Sequence, residues 1–508
     1  MEEVQFFDFR NKKNAKIYLI GIKGTGMCAL AELLHKRGFL ISGSDGKEVF
    51  YTDALLKELQ IPYHETFDAA HIDKSLDLVI YSAAYSFSVN PEMDRALELG
   101  IPILKYTDAL GAYSKGIDST GIAGVHGKTS TTAMTGTLLA GLNLPVEVLA
   151  GSEVSNFGGR STLSLGHEYF IAETCEYRKH FLSFHPKRII LTSVETDHQD
   201  FFPTYEDIRD AFVEYGRLLP PGGEMIYCAD DKGACEVAAI LSKERPNINF
   251  VPYGFNADGD FKVINYQVKN ERILMKLASF SCEFRIRIPG LHSALNAAAA
   301  IALCSSIVKD YYNDGWTEER RKSLVKALED FSGSRRRSEI LGTKNGIVFM
   351  DDYGHHPTEI KSTLSGLRDF FPERRFIVSF MSHTYTRTEA LLDEFADSFS
   401  FANIVLLHKI YSSAREVYNG GITGLKLFDK VKERFNDADE KNADARNVDA
   451  RDVDGSRVFY IDEPDESIDF LKGILKSGDL FITMGAGDNF RMGKKLYDSL
   501  IENQGGRK

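Results

Sequence analysis

A glycine-rich segment that carries one lysine and several hydroxyls, Gly121 to Thr132, has the composition of a phosphate-binding loop. Backbone N–H groups of such a loop wrap an oligophosphate, Lys128 can reach the outer phosphates, and the Thr129 hydroxyl can bind Mg²⁺ at the start of the next helix. The common form of the loop has a glycine where this chain has Ile122, which argues against an ordinary GTPase or kinase-type loop. The predicted nucleotide-binding residues of the loop are Gly124, Val125, His126, Gly127, Lys128, Thr129 and Ser130.

Two predicted strands that follow the loop end in acidic residues. Tyr169 to Glu173 places a carboxylate at the carboxyl edge of a parallel sheet, where ligands bind in this class of fold. A second strand, Arg188 to Val194, leads into Glu-Thr-Asp-His-Gln-Asp. Because Mg²⁺ prefers carboxylate, hydroxyl and water oxygens, Thr129 and Glu173 are predicted to bind one ion. His198 is a candidate ligand for a second metal ion, and the alternative is a histidine bonded to nearby backbone at a helix start.

The N-terminal region contains a strand, a glycine turn and a helix. The turn, Gly24-x-Gly26-x-x-Ala29, fits the dinucleotide fingerprint, and Asp45 follows at the distance expected of a ribose-binding acid. A pyrophosphate is held in the same way whether it belongs to NAD or to a nucleotide sugar. The motif therefore predicts a diphosphate ligand and leaves its owner open.

Composition limits the class of protein. At 508 residues the chain is too long for one core, and about 150 residues per domain predicts three domains. The net charge of −12 argues against nonspecific binding to nucleic acid or to an anionic membrane. Six cysteines without Cys-x-x-Cys spacing indicate neither a zinc site nor a disulfide framework. We find no signal-peptide pattern and no apolar run long enough to span a bilayer, so a cytoplasmic protein is expected.

Alternating strand and helix patterns predict an α/β fold throughout the chain. The predicted domains are residues 1–118, 119–331 and 332–508, with the last limit at a hinge-like Phe-Ser-Gly-Ser that a run of three arginines follows. Residues 436–457 contain imperfect Asp/Asn/Ala/Arg repeats that are too polar to bury a face. We interpret them as a flexible insertion without a function.

Five motifs in order along the chain resemble those of the Mur ligase family. They are Gly-Ile-Lys-Gly-Thr-Gly-Met, Val-His-Gly-Lys-Thr-Ser-Thr-Thr, Glu-Thr-Asp-His-Gln-Asp, Gly-Leu-His-Ser-Ala-Leu-Asn-Ala and Asp-Asp-Tyr-Gly-His-His-Pro-Thr-Glu. The last of these, together with His383-Thr-Tyr-Thr-Arg387-Thr, is similar to the alanine-adding branch of the family. The resemblance implies an N-terminal Rossmann-like UDP-binding domain, a central P-loop ATPase-like domain and a C-terminal Rossmann-like domain.

The activity that the resemblance implies is ATP-dependent formation of an amide between L-alanine and the lactoyl carboxylate of UDP-N-acetylmuramate. The reaction would run through an acyl phosphate and would belong to peptidoglycan precursor synthesis. The implied ligands are ATP, two Mg²⁺ ions and the two small-molecule substrates. Neither nucleic acid nor a membrane is an expected partner, and the expected oligomeric state is a monomer or a homodimer.

The resemblance also assigns roles to residues beyond the loop, and the catalytic set it implies is Lys128, Glu173, His198 and Arg387. The implied additional ATP contacts are His292, Asn296, Arg336 and Asp352. The implied UDP-sugar contacts are Gly24, Thr25, Gly26, Ser44, Asp45, His64, Ser82 and Asn156. The implied amino-acid contacts are Tyr353, His355, His383 and Arg387.

 The resemblance also implies that His126 of the phosphate loop and Asn156 face the lactoyl-sugar end of the substrate.

Two departures from the family pattern concern specificity. Ser293 stands where the adenine-binding segment usually has its first asparagine, and Thr384 stands where some relatives have a second arginine. Three other functions stay open from the sequence. They are a ligase that attaches a recycled murein peptide to the same nucleotide sugar, an NAD-dependent dehydrogenase built on the Gly24 turn, and a nucleotide-binding module without chemistry.

Overall fold

The computed structural model describes residues 7–10, 12, 14–198, 201–412, 416, 418, 420–441 and 456–500. These residues form three β-sheets in succession along the chain, with five, ten and six strands. Helices follow most of the parallel strands, as expected for connections between parallel neighbours. The three-domain α/β fold class predicted from the sequence is therefore confirmed.

The first sheet is entirely parallel and has the order β3-β2-β1-β4-β5. Its strands are β1 (Lys16–Ile20), β2 (Leu40–Ser44), β3 (Tyr63–His64), β4 (Leu78–Tyr81) and β5 (Ile103–Lys105). Its helices are α1 (Thr25–Lys36), α2 (Thr52–Glu58), α3 (Pro91–Glu98) and α4 (Tyr106–Ser114). The strand order changes direction beside β1, so the turn between β1 and α1 lies where doubly wound sheets bind ligands.

The second sheet has the order β15-β14-β13-β12-β11-β10-β6-β9-β7-β8. Its strands are β6 (Asp118–Ala123), β7 (Val146–Val154), β8 (Arg160–Ser164), β9 (Tyr169–Glu173), β10 (Arg188–Leu191), β11 (Glu224–Cys228), β12 (Asn249–Gly254), β13 (Phe261–Val268), β14 (Ile273–Leu277) and β15 (Phe284–Ile286). Its helices are α5 (Lys128–Gly141), α6 (Tyr205–Gly216), α7 (Lys232–Glu244), α8 (Leu291–Tyr311) and α9 (Glu318–Asp330). In this spatial order, all neighbours between β13 and β7 pair in parallel. The edge strand β8 pairs antiparallel with β7, and at the other edge β14 pairs antiparallel with both β13 and β15.

The third sheet has the order β16-β17-β21-β18-β19-β20, and only β16 pairs antiparallel among its described strands. Its strands are β16 (Glu339–Lys344), β17 (Ile347–Asp352), β18 (Arg375–Met381), β19 (Ile404–Leu407), β20 (Val458–Tyr460) and β21 (Asp479–Gly485). Its helices are α10 (Pro357–Phe370), α11 (Tyr385–Ala390), α12 (Leu392–Ser398), α13 (Gly424–Lys441), α14 (Ile468–Ile474) and α15 (Asn489–Ser499).

The hydrophobic cores run across the sheets instead of stopping at each one. One core joins buried residues of the second and third sheets, and another joins buried residues of the first and second sheets. The second and third domains approach closely where α10 meets the start of α8. A Cβ atom on Gly366 would lie 2.3 Å from the Cα of Gly290, so this contact requires a glycine. The close packing brings side chains of the third domain to the second sheet.

Helix α8 is the one described helix that is long and apolar enough to span a membrane by length and composition. In this structure 72% of its most apolar stretch is buried inside the protein. Its alanines from Ala297 to Ala300 are fully buried in the core that the second and third sheets share. The burial identifies α8 as a core helix of the central region.

The structure bears on the insertion predicted at residues 436–457. Helix α13 continues through Lys441, so the first residues of that segment are helical. The helix is held by Leu427, Val431 and Phe435, which are buried. Residues 442–455 lie outside the described part of the chain. The domain limits after residues 118 and 331 stay predictions, and β6 begins at Asp118, at the first of them.

Candidate active site

The predicted phosphate-binding loop joins β6 to α5 at the carboxyl edge of the second sheet. Gly127 precedes the helix with φ of 81°, and Gly124 has φ of 134°. A Cβ atom on Gly124 would lie 2.1 Å from the Thr192 hydroxyl, so the loop can pass β10 only with a glycine there. The loop is also tied to the segment after β10, since the His126 N–H donates to the Ser193 hydroxyl at 2.9 Å.

Lys128 is the first residue of α5, and its side chain folds over the loop. Its amine donates to the carbonyl oxygens of Gly124 and Val125 at 2.5 and 3.1 Å and lies 3.0 Å from a Glu176 carboxylate oxygen. Burial disfavours the charged amine, but the carboxylates of Glu176 and Glu173 outweigh it and raise the pKa of Lys128. The amine is therefore a fixed cation at the mouth of the loop.

Thr129 and Glu173 lie together, as the sequence predicts. The Thr129 hydroxyl donates to the Glu173 carboxylate at 2.8 Å, at the start of α5 and the end of β9. Gly151 leaves room for this carboxylate, since a Cβ atom at that position would lie 2.3 Å from one of the Glu173 oxygens. A hydroxyl and a carboxylate are the oxygen donors that Mg²⁺ prefers, so the pair fits that ion.

His198 lies on the far side of Lys128. Its Nε2 atom is 3.5 Å from Glu176 and 3.8 Å from Asp197, and its ring centroid is 4.8 Å from that of Tyr177. The backbone of His198 has φ of 54°, in the left-handed region that residues other than glycine rarely adopt. His198 and Glu176 together offer a nitrogen and two oxygens near the loop, which fits a second divalent ion.

His126 connects the loop to the C-terminal domain. Its Nδ1 atom lies 3.0 Å from the Glu359 carboxylate, and its Nε2 atom contacts Glu195. Burial alone would lower the pKa of His126, but the two carboxylates raise it to about 10. The ring is therefore an imidazolium held between two carboxylates of different domains. Glu195, His126 and His356 also have their ligand atoms within 4.8 Å of one another.

A cavity of about 300 Å³ lies between the second and third sheets and contains this loop. Its lining combines the loop with residues of α8 and of the C-terminal domain. The predicted site residues that line it are Val125, His126, Gly127, Lys128, Thr129, Ser130, Glu173, His292, Asn296 and Asp352. The structure thus collects most of the predicted nucleotide contacts in one place.

Helix α8 supplies two of these residues from its first turns. Asn296 lies against the loop, because a Cβ atom on Gly127 would be 2.8 Å from its side-chain oxygen. His292 has its Nδ1 atom 3.1 Å from the Ser362 hydroxyl of α10, and burial lowers the pKa of His292 to about 4. Ser293, the departure noted in the sequence, donates to the Pro289 carbonyl at 2.8 Å. Asn296 and the neutral His292 can both form hydrogen bonds with a base in this cavity.

Of two neighbouring arginines in the linker, the structure brings the one that was not predicted to the cavity. Arg337 lines the cavity and lies 3.5 Å from Glu359. The predicted residue, Arg336, instead pairs with Asp351 at 2.9 Å and donates to the Gly485 carbonyl at 2.8 Å. A sequence of three consecutive arginines gives no signal for which of them faces a ligand. The proposed nucleotide contact of Arg336 stays a prediction.

Asp352 ends β17 and lines the cavity. One of its oxygens accepts from the Ser338 N–H at 2.7 Å, and the other accepts from the Gly354 N–H at 2.6 Å. Burial raises the pKa of Asp352 despite these bonds and the nearby Arg337. A carboxylate held by backbone on both sides is a rigid acceptor for ligand hydroxyls.

The four predicted amino-acid contacts form a cluster in the C-terminal domain. The ring centroids of Tyr353 and His355 are 5.0 Å apart, and those of His355 and His383 are 5.3 Å apart. Arg387 lies 3.3 Å from the Nδ1 atom of His383 and pairs with Asp197 of the central domain at 2.6 Å. Burial lowers the pKa of His355 to about 3, which keeps its ring neutral. The cluster offers one buried guanidinium near the neutral ring of His355.

The predicted UDP-sugar contacts of the first domain lie at the carboxyl edge of its sheet. The Asp45 carboxylate accepts from the Lys23 N–H at 2.7 Å and from the Tyr85 hydroxyl at 3.1 Å. Ser44 donates to the buried Glu92 at 2.5 Å. The ring of His64 stacks on that of His71 with 3.7 Å between centroids. These side chains are ordered around the β1–α1 turn.

The remaining first-domain positions lie around the same turn. The Thr25 hydroxyl accepts from Tyr51 at 2.8 Å, and a Cβ atom on Gly26 would lie 2.9 Å from the Tyr106 hydroxyl. Gly24 accepts at its carbonyl from the Cys28 N–H at 2.8 Å, within α1. Ser82 follows β4, and its N–H donates to the Ile20 carbonyl at 3.0 Å. The turn therefore has tightly fixed backbone, while its ligand stays a prediction.

Asn156 occupies a different place from the other predicted sugar contacts. Its side chain donates to the Asp330 carbonyl at 3.0 Å and accepts from the Ser332 N–H at 2.9 Å. Asn156 therefore holds the linker that joins α9 to the C-terminal domain. In this structure its amide is engaged with that linker, and its contact with the lactoyl sugar stays a prediction.

Sequence reasoning did not select several charged residues that the structure places at the site. Glu176 pairs with Lys128, and Glu359 contacts both His126 and Arg337. Glu195 and Asp197 follow β10, inside the Glu-Thr-Asp-His-Gln-Asp motif, which was the available signal for both. Glu359 closes the most specific motif of the chain, so its position in that motif was a signal as well.

Family models and individual relatives match this chain over most of its length. The model for the Mur ligase family, catalytic domain, matches residues 16–117, the Mur ligase middle domain matches residues 122–304, and the Mur ligase, glutamate ligase domain matches residues 336–487. The UDP-N-acetylmuramate–L-alanine ligase of Treponema pallidum strain Nichols is 49% identical over 487 residues, which cover 96% of this chain and 97% of that protein. The protein of the same name from Desulfitobacterium hafniense strain Y51 is 37% identical over 94% of this chain and 99% of its own length.

Solved structures share the fold. A UDP-N-acetylmuramate-alanine ligase from Thermotoga maritima superposes with a TM-score of 0.72 at 23% identity, over 95% of this chain and 98% of that one. A murein peptide ligase from Psychrobacter arcticus gives a TM-score of 0.60 at 22% identity, over 96% and 99% of the two chains. At these identities the likeness concerns the fold alone. The family models and the relatives matched at 49% and 37% identity show that the chain belongs to the Mur ligase family, in which it groups with the UDP-N-acetylmuramate–L-alanine ligases.

Proposed function

We propose that this chain is an ATP-dependent ligase that joins L-alanine to the lactoyl carboxylate of UDP-N-acetylmuramate in peptidoglycan precursor synthesis. The observation that carries the proposal is the shared cavity. It places the phosphate loop with Lys128 opposite Asn296 and Asp352, and the Arg387 cluster is tied to the same region through Asp197. A nucleotide site and a cationic amino-acid site next to each other are what an amide-forming ligase requires.

The nucleotide would bind with its phosphates on the loop. Lys128 now donates to carbonyl oxygens of its own loop, and phosphate oxygens would take these hydrogen bonds instead. His292 and Asn296 would contact the adenine, and the buried Asp352 would accept from the ribose hydroxyls. Arg337 lies in the same cavity and would contribute positive charge on the phosphate side.

Two Mg²⁺ ions are part of the proposal. Thr129 and Glu173 would hold one of them, and His198 with Glu176 would hold the other. Bound Mg²⁺ would neutralise charge on the phosphates during phosphoryl transfer. Lys128 pairs with Glu176 of the second donor set and would be a third cation there. Glu176 would have to be shared between Lys128 and the second ion.

The chemistry needs positioned charges and no protein nucleophile. A carboxylate oxygen of the lactoyl group attacks the γ-phosphorus of ATP, ADP leaves, and an acyl phosphate forms. The amine of L-alanine then attacks the acyl carbon, the C–O bond breaks, and phosphate leaves as the amide forms. Both steps move negative charge past fixed cations, which stabilises their transition states. Lys128, His126 and Arg387 supply three of the positive charges in this region, and their side chains are partly or fully buried.

The two remaining substrate portions would bind on either side of the cavity. The β1–α1 turn with Gly24, Thr25 and Gly26 would hold the diphosphate of the nucleotide sugar, near Ser44, Asp45, His64 and Ser82. Arg387 would bind the carboxylate of alanine, with Tyr353, His355 and His383 around the side chain. We further propose that the protein works in the cytoplasm, as a monomer or homodimer, without nucleic-acid or membrane partners.

A ligase that attaches a recycled murein peptide is the nearest alternative, since the fold is common to both kinds of enzyme. An NAD-dependent dehydrogenase is disfavoured by the family to which the chain belongs. The alternatives differ in what they consume, because only a ligase releases ADP in response to UDP-N-acetylmuramate and an amine-bearing substrate. Their substrates therefore separate them directly.

A coupled ADP-release assay tests the proposal. The purified protein is given ATP, Mg²⁺ and UDP-N-acetylmuramate with L-alanine, glycine, L-serine or the tripeptide L-alanyl-γ-D-glutamyl-meso-diaminopimelate. The proposal predicts that L-alanine gives the highest kcat/KM and that the tripeptide gives no release above background. Preferred use of the tripeptide would show a peptide ligase, and tight NADH binding without ADP release would favour the dehydrogenase.

A further inference from the structure

Asp197 forms a contact between two domains, and no role has been assigned to this residue so far. It lies in the segment after β10 of the central domain, and its Oδ1 atom accepts from the Nη2 atom of Arg387 at 2.6 Å. Arg387 belongs to α11 of the C-terminal domain, 190 residues further along the chain. The two side chains are 8% and 6% exposed, so this is a buried ion pair.

The carboxylate of Asp197 lies between two nitrogen-bearing side chains. One of its oxygens accepts from Arg387, as described above. The second carboxylate oxygen lies 3.8 Å from the Nε2 atom of His198. The same carboxylate therefore faces Arg387 on one side and the proposed metal-binding histidine on the other.

The contacts of Arg387 leave one edge of its guanidinium for a ligand. Nη2 donates to Asp197, and Nη1 lies 3.3 Å from the Nδ1 atom of His383. Among the residues described in the structure, no acceptor pairs with the buried Nε atom. An unpaired N–H in a buried guanidinium is costly unless a ligand accepts from it. A substrate carboxylate is a ligand of the right charge.

We propose that Asp197 is a positioning residue for the amino-acid site, which holds Arg387 in place from the opposite domain. The inference rests on the proposed function, since it assumes that Arg387 binds the carboxylate of alanine. Asp197 does not touch the reacting atoms in this scheme. It fixes the rotamer of the guanidinium, so that the Nε edge faces the incoming carboxylate before the substrate arrives.

A consequence is that the amino-acid site depends on the domain interface. Arg387 is fixed only when the C-terminal domain lies against the segment after β10, where Asp197 and His198 are adjacent. The same arrangement brings Glu359 to His126 at the phosphate loop. Alanine would therefore meet an ordered binding site only in the arrangement that also closes the nucleotide cavity.

The test is the variant D197N, which keeps the shape of the side chain and removes its charge. Apparent KM values for L-alanine, ATP and UDP-N-acetylmuramate are measured together with kcat and the melting temperature. We expect KM for alanine to rise roughly tenfold to a hundredfold, as for the loss of one charge-assisted hydrogen bond, with KM for ATP within about twofold of wild type. The matched control is E244Q, which removes an acid from the exposed Arg217–Glu244 pair and should change none of these values.

A double-mutant cycle separates positioning from general destabilisation. If Asp197 acts through Arg387, D197N combined with Arg387→Lys should raise KM for alanine no further than Arg387→Lys alone. Equal losses for all three substrates, additive effects in the double variant, or an unchanged KM for alanine would each overturn the inference. Should D197N not melt cooperatively, the charge-preserving variant D197E takes its place, with a smaller rise in KM for alanine expected and an unchanged value overturning the inference. Wild-type protein without alanine-dependent ADP release would overturn the proposed function itself, which is a different result.

Discussion

At the scale of single residues, the site is built from charges with reduced exposure that face partners across the domain interface. Arg387 pairs with Asp197, and His126 lies between Glu195 and Glu359. The Arg387–Asp197 and His126–Glu359 contacts join the central domain to the C-terminal domain. Removing one member of such a pair leaves the other charge uncompensated, so small substitutions should have measurable and selective effects.

Arg387→Lys should weaken the use of alanine more than the use of ATP. A guanidinium can hold both Asp197 and a carboxylate with directed hydrogen bonds, whereas a lysine amine offers a point charge. Losing one charge-assisted bond costs about 1.5 to 3 kcal/mol, or roughly tenfold to a hundredfold in apparent affinity. Thr384 cannot compensate, because it carries no charge. We expect the loss toward the upper end of that range, measured as KM for alanine.

The control for this variant is Arg209→Lys, at the exposed Arg209–Asp210 pair on α6. It makes the same chemical change away from the cavity and should leave both KM values at the wild-type level. An Arg387→Lys variant that folds and keeps its KM for alanine would remove Arg387 from the amino-acid site.

His126 predicts how stability depends on pH. The pKa of its ring is raised to about 10 in the folded protein, from an ordinary value near 6.5 in the unfolded chain. The stabilisation from its two carboxylate contacts is therefore complete below about pH 6.5 and is lost as the pH rises toward about 10. We expect the melting temperature of the wild type to fall more steeply between about pH 7 and about pH 9.5 than that of His126→Gln. Parallel curves for the two proteins would show that His126 is not charged in this pH range.

At the scale of helices and strands, the parallel core of each sheet could be predicted and its edges could not. The predicted strands Tyr169 to Glu173 and Arg188 to Val194 correspond to β9 and β10. Strand β13, which pairs in parallel with β12 and antiparallel with β14, was not predicted, and its exposure explains why, since Val263 is its one buried residue. A strand with little buried apolar surface has no clear hydrophobic period. The burial of helix α8 between two sheets depends on packing between distant segments, which no local pattern predicts.

Deleting residues 442–455 should leave turnover and stability close to wild type. The packed part of α13 ends before this segment, with Leu427, Val431 and Phe435 buried against the third sheet. The segment itself consists mostly of Asp, Asn, Ala and Arg, which cannot build a packed surface. Initial rates of ADP release and the melting temperature measure the outcome.

A contrasting variant in the same helix is Leu427→Ala, which should destabilise the protein by about 2 to 5 kcal/mol, the usual cost of truncating a buried leucine. A folded deletion variant with strongly reduced turnover would assign a function to residues 442–455.

At the scale of the whole molecule, the two nucleotides are predicted to bind to different domains. Lys128→Ala should therefore abolish phosphate release, while UDP-N-acetylmuramate still binds to the first domain. The physical reason is that the Lys128 amine contacts the loop and Glu176, which both belong to the central domain. Calorimetric titration with UDP-N-acetylmuramate measures the binding, and Lys232→Ala, at a side chain that is 93% exposed, is the matched control. Equal loss of sugar-nucleotide binding in a folded Lys128→Ala protein would contradict the domain assignment.

The arrangement of the domains is also the part of the site that sequence reasoning could not supply. The loop was predicted from its own motif, and the approach of Thr129 to Glu173 was predicted from the loop and a strand end. The family resemblance implied the cluster of Tyr353 and His355. Contacts such as Asp197 with Arg387 join residues 190 positions apart, and no local period or spacing encodes them. Which of Arg336 and Arg337 faces the cavity could not be predicted for the same reason, because it depends on how the linker turns between two sheets.

The central claim is that the lactoyl carboxylate is activated as an acyl phosphate and then captured by alanine. The most direct measurement uses UDP-N-acetylmuramate with oxygen-18 in both carboxylate oxygens, together with ATP, Mg²⁺ and L-alanine. An acyl phosphate must pass one of these oxygens to phosphorus, so the account predicts that each released phosphate carries one oxygen-18 atom and that UDP-N-acetylmuramoyl-L-alanine keeps the other. Unlabelled phosphate released in step with the amide product, or phosphate release that does not depend on alanine, would contradict it.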